Sequence, residues 1–276
     1  MSSKTAKQDK ALVVDSLAMR FGGLLAIKSM TFHVNEGEVL GLIGPNGAGK
    51  TTAFNAITGY LRPSEGSISY RGSSLVGLKP NEIADLGVVR TFQKTSVFGG
   101  QSAFDNVLMG LHRRQKQNAL EIIFALPSVA AEERRMRDKA HEILDFVGLD
   151  GRAGELGSAL PYGEQRLLEV AVALAAQPSL LLLDEPVSGM NPSETSSFMN
   201  IMGEIRKLGI TVLLVEHDMR MVMGVSDRVI VLNHGSIIAD GSPSQIQKNP
   251  EVIRAYLGDR YDKAKSGSKG KKRAQG

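Results

Sequence analysis

The sequence predicts an α/β fold: a mostly parallel sheet flanked by helices, with a smaller antiparallel β subdomain and an α-helical subdomain. Three observations predict it. The apolar run Val39-Leu40-Gly41-Leu42-Ile43 leads into Gly44-Pro45-Asn46-Gly47-Ala48-Gly49-Lys50-Thr51-Thr52 and on into a helical stretch closed by Gly59. Strand-like and helix-like segments alternate along most of the 276 residues. From about residue 96 to residue 162, helical periodicity persists with almost no strand signal.

In chain order, Ala11-Leu12-Val13-Val14 and the segment through Thr31-Phe32-His33-Val34 predict strands ahead of the glycine-rich loop. Residues 39–43 are apolar throughout, which suits a parallel strand buried on both faces. Thr52 to Thr58 follows as a helix. Gly66-Ser67-Ile68-Ser69-Tyr70 alternates, as an antiparallel strand with one wet face does, and Gly72 marks its turn. Val88-Val89-Arg90-Thr91-Phe92 is a further short strand. Beyond it, Met136, Ala140, Ile143, Leu144 and Val147 recur at helical spacing behind the charged run Glu132 to Lys139, giving one amphipathic helix. Strand signals return at Leu180 to Leu183, Ile210 to Val215 and Arg228 to Leu232. The pattern is a core interrupted by a helical insertion, without internal repeats.

Residues 44–52 fit G-x-x-x-x-G-K-[ST] at every constrained position, between a strand and a helix as the chemistry requires. Such a turn presents successive backbone N–H groups to a bound anion. The helix dipole and Lys50 add positive charge beside the β- and γ-phosphates, and Thr51 supplies a hydroxyl for Mg²⁺. The segment predicts binding of a nucleoside triphosphate.

Composition bounds the rest. The chain has no cysteine, which excludes disulfides and thiolate metal sites and suits a reducing compartment. Its first ten residues, MSSKTAKQDK, lack the apolar core of a signal peptide, and no apolar run approaches the length needed to span a bilayer. The expectation is a soluble or peripheral protein. Residues 259–276 carry seven basic side chains against Asp259 and Asp262, a net +5, whereas the whole chain is +4; residues 1–258 therefore sum to −1. This Lys/Gly/Ser segment reads as a disordered tail, able to touch anionic lipid or nucleic acid but favoured as a solvated end.

Leu180-Leu181-Leu182-Leu183-Asp184-Glu185 is an apolar strand ending in two carboxylates. Behind a phosphate loop, Asp184 belongs beside the Mg²⁺ shell and Glu185 is placed to polarise an attacking water. His217, just after the strand ending Val215-Glu216, and Gln93, after Val88 to Phe92, are candidates for the γ-phosphate and for the metal and attacking water.

Taken in order, these parts resemble the ATPase subunits of ABC transporters over nearly all of residues 11–258. The phosphate loop precedes a glutamine loop at Gln93 and a helical subdomain at about 96–162. Then come a signature segment, Leu160-Pro161-Tyr162-Gly163-Glu164-Gln165-Arg166, the Asp184-Glu185 strand, Ser188-Gly189-Met190-Asn191-Pro192, and His217. The resemblance implies that Phe21 stacks on adenine, residues 44–52 hold the phosphates, and Thr51 and Gln93 ligate Mg²⁺ with support from Asp184. Glu185 would be the catalytic carboxylate and His217 the γ-phosphate switch. In the family two such domains meet head to tail, and each nucleotide lies between one phosphate loop and the other domain's signature.

Arg20-Phe21-Gly22-Gly23-Leu24-Leu25-Ala26, Val88 to Gln93, Glu216-His217-Asp218-Met219 and Asn249 to Gly258 look like the larger ATPase of branched-chain amino acid importers. That likeness implies a second ATPase subunit, two transmembrane permease subunits and an extracytoplasmic solute-binding protein, with the chain held at the cytoplasmic face of the inner membrane. No specific nucleic acid is expected. Related systems take up amides or urea, and other ABC ATPases act outside transport or bind nucleotide without turnover; intact Gln93, Glu185 and His217 argue against the last. The expected domains are a disordered segment 1–10, an ATPase domain 11–258 and the basic tail 259–276.

The signature Leu160-Pro161-Tyr162-Gly163-Glu164 departs from the family's usual pattern; tyrosine at its third position is familiar in the subfamily, and proline at its second is not. The usual signature is Leu-Ser-Gly-Gly-Gln, and Pro161 stands where the serine would cap the following helix. Proline can begin a helix but has neither hydroxyl nor N–H. Because signatures act in trans, Pro161 is expected to weaken the partner's nucleotide site rather than this chain's own. Val97, Phe98, Phe104, Val107, Leu108 and Leu111 lie where the family forms a groove for a permease helix. Most of them are expected to pack the subdomain, with Phe98 the first choice for an exposed contact.

Overall fold

The structure, a computed structural model, describes residues 9–91, 97–112 and 127–257. Gln93, Phe92, residues 1–8 and the basic segment 259–276 lie outside the described residues. The chain forms two compact units, one from residues up to Gly77 together with those from Val215 onward, the other from Leu78–Leu214.

In the first unit, β1 (Lys10–Phe21) and β2 (Leu24–Asn35) form a long antiparallel hairpin turning at Gly22-Gly23. β1 begins one residue before the expected limit at 11, because Lys10 pairs with Asn35. It also runs well past Val14. The polar pair Asp15-Ser16 that masks its continuation sits at a bulge, where Ser16 takes φ 52° and its N–H donates to Thr31 Oγ1 at 2.9 Å. β3 (Val39–Ile43) is buried at every position and enters the glycine-rich loop, which α1 (Lys50–Ile57) leaves. β4 (Glu65–Tyr70) pairs with β1 and β5 (Ser73–Ser74) with β4, completing an antiparallel sheet ordered β2-β1-β4-β5.

The second unit starts with α2 (Pro80–Asp85) and β6 (Val88–Arg90). α3 (Ala103–His112), α4 (Pro127–Phe146) and α5 (Tyr162–Ala175) pack together as the helical insertion. Met136, Ala140, Ile143, Leu144 and Val147 are buried, as their spacing predicts. β7 (Leu180–Asp184) runs parallel to β6 with Arg90 opposite Leu182, α6 (Pro192–Lys207) follows, and β8 (Thr211–Val215) lies on the other side of β7.

Back in the first unit, α7 (Met219–Val225) precedes β9 (Arg228–Asn233), which pairs parallel with β3 and antiparallel with β10 (Ser236–Gly241). α8 (Pro243–Lys248) and α9 (Pro250–Leu257) close the described chain. Ile43, Val222, Val231, Ile246 and Val252 share one apolar cluster, so the last helix is packed against the strand that feeds the loop. Around it Arg228 pairs with Glu38 at 2.8 Å and with Asp240 at 3.0 Å, and donates to the His33 carbonyl. Burial, then the nearby Arg228 and Lys10 charges, hold the His33 imidazole below its ordinary pKa.

Candidate nucleotide-binding and hydrolysis site

In the first unit the loop is built by close approach. Gly44 takes φ +152°, and a Cβ there would lie 2.2 Å from the Leu232 carbonyl oxygen, so only glycine lets β9 run alongside. On the next strand-to-strand turn, Gly235 N–H donates to the Ala48 carbonyl at 3.0 Å, and its own carbonyl accepts from Lys28 at 2.9 Å. The loop is thereby clamped between β2 and the β9–β10 turn.

Lys50 is 8% exposed, and its Nζ donates to the carbonyls of Gly44 at 2.7 Å and Pro45 at 3.1 Å. The ammonium is held over its own loop by the backbone. Gly49 (φ +107°) is the N-cap of α1, and no side chain caps that helix end. A helix start that directs N–H groups at a glycine-rich loop favours an anion. Asn46, Gly47 and Thr51 are exposed, while Ala48 is buried and Pro45, Gly49 and Thr52 are half-buried.

Tyr256 lies on α9 and is 39% exposed. Partial burial of its ring pushes the hydroxyl up to about 12, against a smaller lowering influence of the Gly44 backbone.

Phe21 is 44% exposed at the hairpin tip, opposite Leu24, on the hairpin whose Ala26 carbonyl abuts Gly49. His217 follows β8 and is exposed; the buried Glu216 beside it accepts hydrogen bonds from the His217 N–H at 2.8 Å and the Asp218 N–H at 3.2 Å. This fixes the backbone from which the imidazole projects.

The second unit carries the carboxylates. Asp184 ends β7 fully buried, and its Oδ2 accepts from Arg90 Nη2 at 2.6 Å. Its Oδ1 is buried without a hydrogen-bond partner among the described residues. Glu185 follows in the left-handed region at φ 51°, which turns the chain directly after Asp184, and its carbonyl accepts from Ser188 N–H at 3.2 Å.

Pro161 is the N-cap of α5, at φ −53° and ψ 152°, with no side-chain cap bond. Its carbonyl accepts from Gln165 N–H at 2.9 Å to close the first turn, and Gln165 Nε2 donates to the Leu160 carbonyl at 2.8 Å. Glu164 pairs with Arg152 at 2.9 Å. The structure brings the signature against Ser188 to Pro192, two segments that sequence alone leaves apart. A Cβ on Gly189 would lie 2.7 Å from the Tyr162 ring, and one on Gly163 would lie 2.8 Å from the Glu194 carboxyl carbon. The Tyr162 hydroxyl accepts from Arg166 Nη2 at 2.7 Å, and Arg166 pairs with Glu169 at 2.9 Å. Glu194 in turn closes a capping box with Asn191 at the start of α6.

After the glutamine-loop position, Val107 and Leu111 are buried, Val97, Phe104 and Leu108 are half-buried, and Phe98 is 58% exposed. Asn106, almost fully buried, holds the Phe98 backbone by accepting from its N–H at 2.8 Å and donating to its carbonyl at 3.1 Å.

Residues 27–188 match the family model described as ABC transporter. The chain belongs to the ABC transporter ATP-binding family. A second model, described as branched-chain amino acid ATP-binding cassette transporter, matches residues 236–262. The chain is 44% identical to the high-affinity branched-chain amino acid transport ATP-binding protein LivG of Escherichia coli, over 90% of this chain and 98% of that one. The equivalent protein BraF of Pseudomonas aeruginosa is 44% identical over the same shares. A solved ATP-binding cassette of an ABC transporter in its ADP conformation superposes with a TM-score of 0.79 at 30% identity, covering 91% of this chain and 99% of that one. This ABC protein is thus an ATPase coupled to transport, with the α/β fold its sequence predicts.

Among the described residues of the ABC chain, no group of three or more acidic or histidine side chains is placed to hold a metal, and no helix is long and apolar enough to cross a membrane. Mg²⁺ is commonly held through one or two carboxylates together with substrate phosphates. The unpartnered, buried Asp184 Oδ1 is an oxygen donor of the kind that arrangement uses.

Proposed function

We propose that this ATPase powers uptake of branched-chain or closely related amino acids. The observation that carries the reading is the match of residues 236–262 to the branched-chain amino acid cassette model, joined to 44% identity with LivG across nearly the full length of both chains. Its partners are then two permease subunits, a second ATPase subunit and a solute-binding protein, and it works at the cytoplasmic membrane face. Phe98 is the residue we assign to the permease contact. The domain reading follows: residues 11–258 are the ATPase domain, 96–162 its helical subdomain, and 1–10 and 259–276 flanking segments.

In this reading residues 44–52 bind the ATP phosphates and Phe21 the adenine. Thr51 and Gln93 would ligate Mg²⁺, with Asp184 behind them; the ion supplies Lewis-acid polarisation of the phosphates. Glu185 takes the proton of, or orients, the attacking water, and His217 contacts the γ-phosphate. Residues 161–165 complete the partner's nucleotide site. Pro161 offers that site no hydroxyl, so the two sites of a heterodimer are unequal, the one built on Lys50 and Glu185 being the stronger.

The test is uptake of labelled leucine, isoleucine and valine in cells lacking this chain. Uptake should be lost, restored by the wild-type chain, and not restored by Glu185→Gln, which keeps nucleotide binding. Intact leucine uptake with loss of urea or amide uptake would replace the substrate assignment. Restoration by Glu185→Gln would overturn the catalytic one.

A further inference from the structure

The turn after β8 is organised by a side chain that the proposed catalytic steps do not use. Glu216 is 1% exposed, and its Oε2 accepts from two successive N–H groups, that of His217 at 2.8 Å and that of Asp218 at 3.2 Å. The next link follows at once: Asp218 Oδ1 accepts from Met221 N–H at 3.0 Å and caps α7. That helix is itself anchored. Val222 is buried in the cluster that contains Ile43, the last residue before the phosphate loop, and Met219 and Met223 pack against the same cluster. His217 therefore has fixed backbone on its helix side and at its own N–H, while its side chain is 61% exposed. Its Nδ1 stands 3.7 Å from Glu216 Oε2, beyond hydrogen-bond range, so Glu216 grips the peptide and not the ring.

We propose that Glu216 is a positioning residue for His217, its buried carboxyl oxygen holding the peptide from which the imidazole reaches a γ-phosphate. This role rests on the reading of His217 as the γ-phosphate contact. A side chain so exposed is placed chiefly by the backbone that carries it. Two N–H groups bound to one oxygen remove much of that backbone's freedom, because neither peptide plane can turn without losing its bond. Burying a carboxyl group is costly unless its oxygens are hydrogen-bonded, so the arrangement holds Glu216 as firmly as Glu216 holds the turn. Both bonds end on the same oxygen. An amide oxygen in that place can accept them equally well, and a side chain without oxygen cannot. Residues 44–52 need neither bond to bind phosphate, so the defect from losing them should fall on hydrolysis and not on ATP affinity.

The experiment measures ATP hydrolysis in the assembled transporter for Glu216→Met, Glu216→Gln, His217→Ala and wild type. Each kcat is expressed per nucleotide-binding site, counted by stoichiometric titration with a fluorescent ATP analogue, which removes any loss of folded protein from the comparison. Glu216→Met nearly keeps the volume and deletes the oxygen. It should lower kcat about tenfold, within the loss that a small misplacement of a catalytic group produces, and leave KM for ATP unchanged. Glu216→Gln should stay within about twofold of wild type, since its amide oxygen restores the acceptor. In the full chain, hydrogen exchange should quicken at the His217 and Asp218 amides in Glu216→Met alone. Wild-type kcat in Glu216→Met overturns the proposal. So does an equal loss in Glu216→Gln, which would make charge and not the acceptor the working part. With His217→Ala inactive, either result leaves His217 as the γ-phosphate contact. Undiminished kcat in His217→Ala overturns that reading itself and the role of Glu216 with it.

Discussion

Arg90 and Asp184 form an ion pair 2.6 Å long, with side chains 9% and 0% exposed. The parallel register of β6 and β7 places Arg90 opposite Leu182, two residues before Asp184, so the long guanidinium reaches forward along the sheet to the carboxylate. Ionised carboxylates are costly to bury unless paired, and here the pair uses one oxygen only. Arg90 thereby fixes the rotation of the Asp184 carboxyl while its Oδ1 stays available to a cation or water.

Replacing Arg90 by Met should therefore do two separable things. It leaves a buried carboxylate without its partner, which costs about 3–5 kcal/mol and lowers the thermal midpoint. It also frees the Asp184 carboxyl to rotate, so the Mg²⁺ concentration giving half-maximal ATP binding should rise. Asp184→Asn in the same background should recover much of the stability but none of the Mg²⁺ response. A variant with unchanged melting and unchanged Mg²⁺ dependence would remove Arg90 from the account.

Gly44 and Gly66 offer a matched pair of alanine substitutions. A Cβ on Gly44 would sit 2.2 Å from Leu232 O, and one on Gly66 would sit 2.4 Å from Ser16 O; both glycines have positive φ and both neighbours are rigid backbone. Each substitution should destabilise the chain by about 2 kcal/mol or more, as strain and overpacking add. Only Gly44→Ala should also abolish nucleotide binding in the fraction that remains folded. Denaturant melts paired with ATP-analogue titration separate the two effects.

The parts of this protein whose chemistry demands fixed local spacing are legible in its sequence. Residues 44–52, the Leu180–Glu185 strand and the periodic helix around Ala140 belong to that class, because strand, loop and helix N-terminus follow one another directly along the chain. What sequence leaves hidden is pairing at a distance. Arg90 reads as a polar residue in a short strand, since nothing local points it at Asp184, 94 positions later. The contact of Tyr162 with Gly189 depends on helix placement in the same way. The signal for β1 stops at Val14 because the bulge at Ser16 breaks the alternation, and β10 is faint because its apolar run, Ile237-Ile238-Ala239, is only three residues long and does not alternate.

Tyr256 also predicts a pH dependence. Its hydroxyl is raised from 10 to about 12, so folding favours the neutral phenol. That contribution is fully present below pH 10 and is lost as pH rises through 12. The residue is 39% exposed, so solvent screening keeps the contribution small. Spectrophotometric titration of wild type minus Tyr256→Phe should show one tyrosine ionising near pH 12, not near 10. A difference curve centred at about pH 10 would mean that the ring is solvated.

Pro161 supplies the sharpest test of unequal sites. Its backbone, at φ −53° and ψ 152°, already has the extended geometry of an N-cap, so serine fits there without rearrangement. The hydroxyl that Pro161→Ser introduces would accept from an N–H of the first turn, and Glu164 stands at the third helical position where a capping box places its acid. The cap contributes about 1 kcal/mol. Losing the proline ring costs about 0.4–1 kcal/mol through the unfolded chain. Stability should therefore change little, and any functional effect must come from the hydroxyl itself. In the proposed heterodimer, with Glu185→Gln silencing this chain's own site, the remaining hydrolysis reports the partner's site, which on that reading Pro161 completes. Pro161→Ser in that background should raise the residual rate severalfold at unchanged melting temperature. An unchanged rate would mean that the Gly163 N–H and the α5 dipole already serve the partner's phosphate without a hydroxyl, and that the two sites are equal.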